Sequence, residues 1–568
     1  MADTEKTQAI TLPATTGANE SVVTPQPGLL ADKLYVGSRY ANYVLIVLTS
    51  VYVFNFVDRQ IISILAEDIK SDLKVTDAQL GILYGTVFAA FYALFGIPLG
   101  RLADVWARRS MISVGLAFWS VMTALSGTAK AFSALLGFRV GVGIGEASAT
   151  PAALSMLSDY FSPKRRATVM AIYSSGVYIG GGIGVAIGGI VLDTWHRWFP
   201  DHTAAPFGLQ GWQMAFLLVG IPGLLMALWV RTLREPMRGM SEGLNVKPEP
   251  HPFRVFGREM MGVLPLLNLV NLVLINKASA KTISINLTVL LAVIVGAWSL
   301  TQWLHNPVQW IAMGTGVYCM FTWTQTLIIH SPEVFSAIFK NRTVMLICGA
   351  FPCASFVGYG SNFFAIPYLL RAHHVSKAEI GTVIGLTAAV AAWMGISIGG
   401  LVADKLKERW EHGRLLIGLF CTLATIPFAA GVYFSSSLSA AYVYNFFAMF
   451  FSPMFIGPAY STVNDLVPPH MRGTASAICL MMVTFIGLAM GPFTMGQIST
   501  AYAKSGMAVG PALRLGVAWG HLLLIVAFVL IVIACYTIHR DAARVRGELT
   551  AVGANEQAPP TTSGSSHL

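Results

Sequence analysis

The sequence predicts an all-α integral membrane protein made of two related bundles of six helices. Of its 568 residues, 55% are hydrophobic and 11% are charged, whereas an ordinary soluble domain has about 25% charged residues. Many apolar stretches reach the roughly 20 residues that a helix needs to cross a hydrocarbon layer of about 30 Å. Two regions of the chain also repeat the same polar motifs between such stretches, which indicates a duplication.

The repeat consists of two motifs that each half carries once. The segment Gly100–Asp104 (Gly-Arg-Leu-Ala-Asp) returns as Gly400–Asp404 (Gly-Leu-Val-Ala-Asp). The segment Asp159–Arg166 returns as Asp465–Arg472, with the same spacing of seven residues between the acid and the arginine. A duplicated helix bundle with its charges in the loops is typical of secondary transporters, in which the substrate site lies between the two halves.

Each half is predicted to contain six spans. In the N-terminal half, residues 39–232, they are 42–65, 79–99, 109–129, 132–157, 167–192 and 211–231. In the C-terminal half, residues 343–540, they are 343–370, 379–402, 414–434, 439–463, 473–498 and 513–538. The flanking segments, residues 1–38 and 541–568, are polar and lack a periodic apolar pattern, so we expect two disordered cytoplasmic tails.

The central linker, residues 233–342, holds three further apolar pieces. Met260–Ile275 is short and is interrupted by Pro265 and two asparagines, so we interpret it as an interfacial or re-entrant helix. Ile285–Trp303 and Val308–Ile329 are long enough to cross the membrane. Fourteen spans are therefore expected, and the alternative is twelve spans with additional surface helices.

The distribution of basic residues predicts the orientation, because Lys and Arg favour the cytoplasmic side. With both termini inside, as expected for a bacterial cytoplasmic membrane, the formal net charge of +10 is explained by topology, so nucleic-acid binding is not predicted. The inner loops then contain Arg101, Arg108, Arg109, Lys164, Arg165, Arg166, Arg231, Arg234, Arg238, Lys405, Lys407, Arg409, Arg472, Arg540, Arg544 and Arg546.

Several functional classes lack their sequence signals. All six cysteines lie in apolar segments without short metal-ligand spacing, and no Gly-rich Lys-Ser/Thr loop is present to hold ATP phosphates. We therefore predict neither a metal nor a cofactor. An integral-membrane enzyme would need a nucleophile, a base and oxyanion donors in one site, and the sequence shows no assembled set of these groups. An enzyme is therefore not predicted. A channel is a further alternative, but a duplicated bundle with a charge motif in both halves favours alternating access.

Charged residues within the predicted spans are the main candidates for function, since each is costly in hydrocarbon. Asp58 and Arg139 lie at similar depths of their spans, so they are predicted to pair. Glu146 lies seven residues after Arg139, on the same helix face and nearer mid-membrane. On the seventh span, Tyr359 and Asn362 are candidate polar contacts to a substrate, with satisfied hydrogen bonds inside the bundle as the alternative.

A buried carboxyl group beside a cation is subject to two opposing effects. Desolvation favours its neutral form, whereas the cation favours its charged form. Alternating access would open a cavity between the two halves to one side of the membrane at a time. If this changes the balance between desolvation and the nearby cation, the carboxyl group binds a proton on one side of the membrane and releases it on the other. We therefore predict that Asp58 and Glu146 exchange protons and that Arg139 attracts an anionic headgroup. A static ion pair that joins two helices is the alternative for Asp58 and Arg139.

The loop Gly100–Arg109 resembles the signature between the second and third helices of the major facilitator superfamily, although Ala107 stands where that family usually has Gly. The resemblance implies a major facilitator fold, close helix approach at Gly100, and ion pairs of Asp104 with Arg108 and Arg109 that latch the outward-facing state. A generic loop with inner positive charges is the alternative. The gating candidates are Gly100, Asp104, Arg108, Arg109, Asp159, Arg166, Gly400, Asp404, Asp465 and Arg472.

Within that superfamily, Asn55-Phe-Val-Asp58-Arg59 and the fourth-span segment Arg139–Pro151 resemble the spinster branch. The resemblance implies a monomeric, proton-coupled carrier of amphipathic or anionic small molecules, such as lysolipids or sphingoid phosphates, in contact with membrane lipids. It also implies functional roles for Asp58, Arg59, Arg139 and Glu146, with Arg59 in substrate binding. Organic anion:cation symporters share the Asp-Arg and Glu-Ala pairs, so they and drug efflux carriers are the alternatives.

Overall fold

A computed structural model describes residues 37–238, 249–264, 267–275, 277–330, 332–373, 375–468 and 471–556. Throughout these segments the regular elements are helices, which confirms the predicted all-α class. The predicted tails fall outside the described residues at 1–36 and 557–568, as does part of the linker at 239–248.

The N-terminal half contains the six predicted helical passes, two of them irregular. Ser38 caps the first helix, and Thr76 forms a reciprocal capping box with Gln79 at the second. The fourth pass is broken after Glu146, where Ala147 and Ser148 interrupt it. The elements are α1 Arg39–Leu73, α2 Asp77–Gly81, a π-helical turn Ile82–Thr86, α3 Val87–Val105, α4 Arg108–Ser126, α5 Phe132–Glu146, α6 Ala149–Tyr160, α7 Pro163–Trp198 and α8 Gly211–Arg231.

The central segment forms one bent helix pair and one hairpin. The bent pair turns through 101° between Pro252–Val263 and Leu267–Leu274, so the predicted short piece is not a straight span. The elements are α9 Pro252–Val263, α10 Leu267–Val270, a π-helical turn Asn271–Ile275, α11 Ala280–Leu304, α12 Pro307–His330 and a short helix α13 Pro332–Phe339 that the sequence did not predict.

The C-terminal half repeats the six passes. Its elements are α14 Arg342–Ala372, α15 Lys377–Arg409, α16 Gly413–Phe434, α17 Leu438–Phe451, a 3-10 turn Ser452–Phe455, α18 Ile456–Asp465, α19 Arg472–Met482, a π-helical turn Val483–Ala489, α20 Met490–Lys504, α21 Val509–His521 and α22 Leu523–Glu556. The prediction of disorder from residue 541 is wrong for 541–556, where α22 continues. Asp541 anchors this extension by accepting hydrogen bonds from the backbone and hydroxyl of Thr343.

Fewer helices than the expected fourteen meet a criterion of length and apolar composition for a membrane span. Eleven described helices are long and apolar enough to cross a membrane, or up to twelve if the bent pair counts as one span. By this criterion of length and composition, the described helices do not reach the fourteen spans that the sequence predicted. The passes that fall short are α4, which begins with two arginines, the broken α5–α6, and α12, whose polar side chains include Gln309 and Gln325.

The two motif copies lie at one end of the bundle, which we call the motif end; the loop after α1 and the loop after α14 lie at the opposite end, the far end. The duplication is visible in local geometry. Arg166 donates to the carbonyl of Ser158, and Arg472 donates to that of Asn464. Each arginine thus bonds the residue just before the aspartate of its own motif copy. The halves meet along two seams, one between α7 and α15 and the other between α2–α3 and α20.

Candidate functional site

A buried ion pair lies at the centre of the bundle. Arg59 of α1 donates to Glu146 at the end of α5 at 2.9 Å, and the Glu146 side chain is fully buried. The guanidinium lies 4.0 Å from the ring centroid of Phe88, with Phe56 and Tyr92 further around it. Aromatic faces favour a cation at such distances. The pair is therefore enclosed by apolar rings on the side that water would otherwise occupy.

Glu146 is not fully satisfied by this contact. Its second carboxyl oxygen, Oε1, is buried and has no hydrogen-bond partner among the described residues. A buried acceptor without a partner is costly, unless it carries a proton or meets a donor from a bound molecule. The Arg59 side chain keeps 12% of its surface exposed, so this side of the pair remains accessible to a ligand.

A second ion pair lies beside the first, as the sequence predicted. Arg139 donates to Asp58 at 2.8 Å, and both residues are almost fully buried. Thr123 of α4 donates to the other carboxyl oxygen of Asp58. Arg139 also lies 6.0 Å from the ring of Phe216. Both oxygens of Asp58 thus have partners, and Arg139 is buried whereas Arg59 is partly exposed.

The geometry of the two pairs follows from local sequence. Asp58 and Arg59 are adjacent on α1, so they point to faces about 100° apart. Their partners are seven residues apart on α5, so they share a face. On another face of α5, Gly145 allows close packing against α4, since a Cβ on Gly145 would lie 2.8 Å from the Cβ of Trp119.

The C-terminal half completes the centre with α14. Tyr359 lies close enough to Arg59 to interact electrostatically, and one turn later Asn362 is also half-buried. Neither side chain makes a hydrogen bond within the described part of the chain, so both are available to a ligand. Across the seam, Phe363 stacks on Tyr84 at 4.4 Å between ring centroids.

At the motif end of the N-terminal half, Arg108 is the central residue. It is fully buried and pairs with Asp159 of α6 and with Glu235 of the linker, the latter at 2.8 Å. Glu235 also accepts the backbone amide of Arg109 at 2.8 Å, so it caps the start of α4. The linker therefore contributes an acid that the sequence did not indicate.

In the C-terminal half, Arg414 has the equivalent place. It bonds Asp404 at 2.8 Å and Asp465 at 2.6 Å. Lys407 adds a contact to Asp465 at 3.2 Å. Arg414 is missing from the predicted gating set because the first motif copy places its arginines four and five residues after the acid, whereas Arg414 follows Asp404 by ten.

Two contacts expected of the motif loops are not made in this conformation. Asp104 does not pair with Arg108 or Arg109; it lies on the surface, 3.7 Å from Arg101. Gly100 and Gly400 do not mark close helix approach, because no described atom lies within 4 Å of the position of a Cβ on either residue. Glu235 of the linker, which is partly exposed, takes the position beside Arg108 that Asp104 was expected to fill.

At the far end, ion pairs join the two halves. Arg371 of α14 contacts Glu67 of α1 at 2.6 Å and Asp77 of α2 at 2.7 Å. Lys377 of α15 contacts Asp68 at 2.7 Å. We refer to these five residues as the far-end network. This network was not predicted from the sequence. The acids after the first span and the basic residues after the seventh are the signal that could have indicated it.

Residues 48–492 and 348–559 match the Major Facilitator Superfamily. The chain belongs to this superfamily. Its members are transporters, so this major facilitator protein is a multi-pass membrane transporter. The expectation from the loop motif and the duplicated bundle is confirmed.

Individual relatives are similar over most of the length. An MFS-type efflux pump of Mycolicibacterium smegmatis is 25% identical over 90% of this chain and 95% of that protein. Protein spinster of Drosophila melanogaster is 22% identical over 84% of this chain, which spans 65% of that protein. The hexuronate transporter of Bacillus subtilis is 29% identical over 35% of this chain and 44% of its own length.

Solved structures agree with this assignment. The crystal structure of a bacterial homolog to the human lysosomal transporter Spinster, in an inward-facing and unoccupied conformation, matches this major facilitator protein with a TM-score of 0.63 at 28% identity. The match covers 89% of this chain and 98% of that structure. The resemblance to the spinster branch is therefore confirmed at the level of homology.

Proposed function

We propose that this transporter moves an amphipathic anion, of the lysolipid or sphingoid phosphate class, by proton-coupled alternating access. The observation that carries the proposal is the Arg59–Glu146 pair, which combines an aromatic enclosure with an unpartnered carboxyl oxygen between the two halves. No other described charge pair combines these two properties.

Arg59 is the cation suited to bind the headgroup. It is the central basic residue with exposed surface, and its planar guanidinium matches phosphate and carboxylate oxygens. The rings of Phe56, Phe88 and Tyr92 provide apolar surface beside it for the start of an alkyl chain. Tyr359 adds a hydroxyl donor from the other half. A substrate bound in this way contacts both halves, as alternating access requires.

Glu146 is the residue suited to carry the proton. While Arg59 is bonded to Glu146, the charged form is stabilised; when an anionic substrate takes Arg59, the carboxylate loses its counter-charge. Protonation then removes the cost of a buried unpaired anion. Proton binding is thereby linked to substrate binding through one shared guanidinium. Asp58 and Arg139 serve in this proposal as the rigid support that fixes α1 against α5.

The ion pairs at the two ends of the bundle support an assignment of each end to one side of the membrane. The far-end network joins the halves at one end, whereas Arg108 and Arg414 pair with acids of their own half at the motif end. With the basic loops in the cytoplasm, the far end faces outward and is closed. We therefore propose an inward-facing state in a bacterial cytoplasmic membrane, with both termini inside.

The proposal is tested with purified protein in liposomes under an imposed pH gradient. Labelled lysophospholipid, sphingosine phosphate, a hexuronate and a cationic dye are compared as substrates. We expect saturable flux of the intact amphipathic anions, and we expect it to increase or reverse with the gradient. Flux that is indifferent to the pH gradient removes proton coupling, and covalent change of the substrate would indicate an enzyme.

Symport of small carboxylates is a second candidate. The local match to the hexuronate transporter favours it, and a guanidinium binds a sugar carboxylate as well as a phosphate. The aromatic rings around Arg59 distinguish the two, because they have no apolar chain to contact in a sugar acid. Transport of the hexuronate without transport of the amphipathic anions would establish this alternative.

A further inference from the structure

The hairpin of α11 and α12 lies across one of the two seams between the halves. It is held together by a buried polar cluster, in which Asn286 donates to Gln325 at 2.6 Å and to Thr322 at 3.0 Å, and Tyr318 donates to Asn286 at 2.8 Å. Interhelical hydrogen bonds of this kind join helices in a membrane. The two helices of the hairpin are therefore held together as one structural unit.

The hairpin is fastened to the N-terminal half near its turn. Thr86 donates a hydrogen bond to the side-chain carbonyl of Gln309, and both residues are fully buried. Trp310 is also buried, in a cluster with Ala78, Ile82 and Val87 of the second pass. Trp310 donates its ring N–H to the carbonyl of His305, which fixes the turn itself.

The same turn is fastened to the C-terminal half. Gln497 of α20 accepts a hydrogen bond from Asn306 at 2.8 Å and donates to the carbonyl of Leu304 at 2.7 Å. Gln309 also contacts the sulfur of Met490 at 3.4 Å, and the Trp310 ring meets Phe493 edge-on at 5.5 Å. A few residues thus bond to both halves at the far end.

The second seam, between α7 and α15, is not covered by the hairpin. There α7 and α15 touch directly, and a Cβ on Gly182 would lie 2.4 Å from the carbonyl oxygen of Gly385. The packing partners of α7 are α1, α6, α8 and α15, and none of them belongs to the central segment. The inserted hairpin therefore makes the two seams unequal.

We propose that the turn of this hairpin, residues 304–310, is a latch that holds the far end closed along the seam of α2–α3 and α20. Separation of the halves at the far end moves Thr86 away from Gln497, and hydrogen bonds of about 3 Å cannot follow both. One set must break for the far end to open. This inference rests on the proposed alternating access but not on the substrate or on proton coupling.

The latch is tested by distance measurements in the substrate-free protein. Spin labels are placed at Lys74 and Ser505, exposed residues on either side of this seam at the far end, after replacement of the six native cysteines. Gln497→Ala removes both hydrogen bonds to the turn. We expect the fraction of long, far-open distances to rise about tenfold, the effect of two net hydrogen bonds.

Two further variants keep the test decisive. Asn306→Gly removes one of the two bonds without backbone strain, because Asn306 has a φ of 56°, and should raise the open fraction about threefold. Thr301→Ala is the control, since its hydroxyl bonds only within α11. Unchanged distances in folded Gln497→Ala and Asn306→Gly proteins overturn the latch, whatever the flux assay shows about substrate.

Discussion

At the scale of residues, two neighbouring acids of similar burial differ in how they are satisfied. Both oxygens of Asp58 have partners, in Arg139 and Thr123. Glu146 has one oxygen on Arg59 and one with no partner among the described residues. A fully bonded ion pair resists a change of charge, whereas a half-bonded carboxyl group is a better proton carrier. We therefore propose different roles for these two acids, which the sequence analysis had predicted to act alike.

Glu146→Gln is expected to abolish transport driven by a pH gradient, because the amide cannot exchange a proton. Substrate exchange across the membrane without a gradient should persist, since Arg59 remains free to bind the anion. Gradient-driven uptake and counterflow are measured in the same liposomes. Glu408→Gln, the same change at an exposed position, should alter neither. Undiminished gradient-driven uptake in the Glu146 variant would exclude this residue from coupling.

Asp58→Asn is expected to destabilise the protein and to leave its pH profile unchanged. The substitution leaves Arg139 as a buried cation without its counter-ion, and loss of one partner of such a pair costs about 3–5 kcal/mol. Thermal unfolding in detergent measures the stability, and the flux assay gives the pH profile. Asp201→Asn, in an exposed loop, is the control. A shifted pH profile at unchanged melting temperature would instead support the predicted proton exchange at Asp58.

At the scale of elements, apolar length predicted the membrane-crossing core of the six passes of each half, because the hydrocarbon thickness fixes that length. Several helices continue beyond it, and α1, α15 and α22 end at Leu73, Arg409 and Glu556. The irregularities were not predicted. The π-helical turns at 82–86 and 483–489 face each other across one seam, where a Cβ on Gly85 would lie 2.1 Å from the carbonyl oxygen of Leu488. Such turns depend on packing against the partner helix, which local sequence does not specify.

In the central segment too, the helices were predicted from the sequence but their packing was not. Its hairpin was predicted from two apolar runs joined by a short connection, and α11 and α12 confirm it. Its position over one seam was not predicted. Asn286, Gln309 and Gln325 gave no signal in the sequence, since a polar residue in an apolar run faces a neighbour that only the fold identifies.

At the scale of the whole molecule, the two ends differ in what their charges join. Far-end charges bridge the halves, whereas the motif-end arginines pair with acids of their own half and, for Arg108, also with Glu235 at the start of the linker. Ion pairs that bridge rigid bodies bias a two-state equilibrium, whereas pairs inside one body move with it. The charges that hold the present state are therefore those of the far-end network, and the motif loops are free to form new contacts in the opposite state.

Arg371→Gln is expected to weaken closure of the far end. It removes the charge partner of Glu67 and of the buried Asp77, a loss on the order of 3 kcal/mol from the closed state. Hydrogen–deuterium exchange should then increase in residues 67–77 and 371–378. Arg197→Gln, an exposed change at the same end, is the control. Exchange that stays at the wild-type level in both segments would show that Arg371 does not hold the gate.

The sequence alone determined the class, the duplication and the pairing of Asp58 with Arg139, because membrane thickness and helical periodicity act locally and leave a periodic pattern. Only the tertiary structure decided that Arg59 partners Glu146, that Arg371 joins two acids across the halves, and that Glu235 takes the place expected for Asp104. These contacts link residues from 87 to more than 300 positions apart. Their geometry depends on how rigid helices pack, which no short segment encodes.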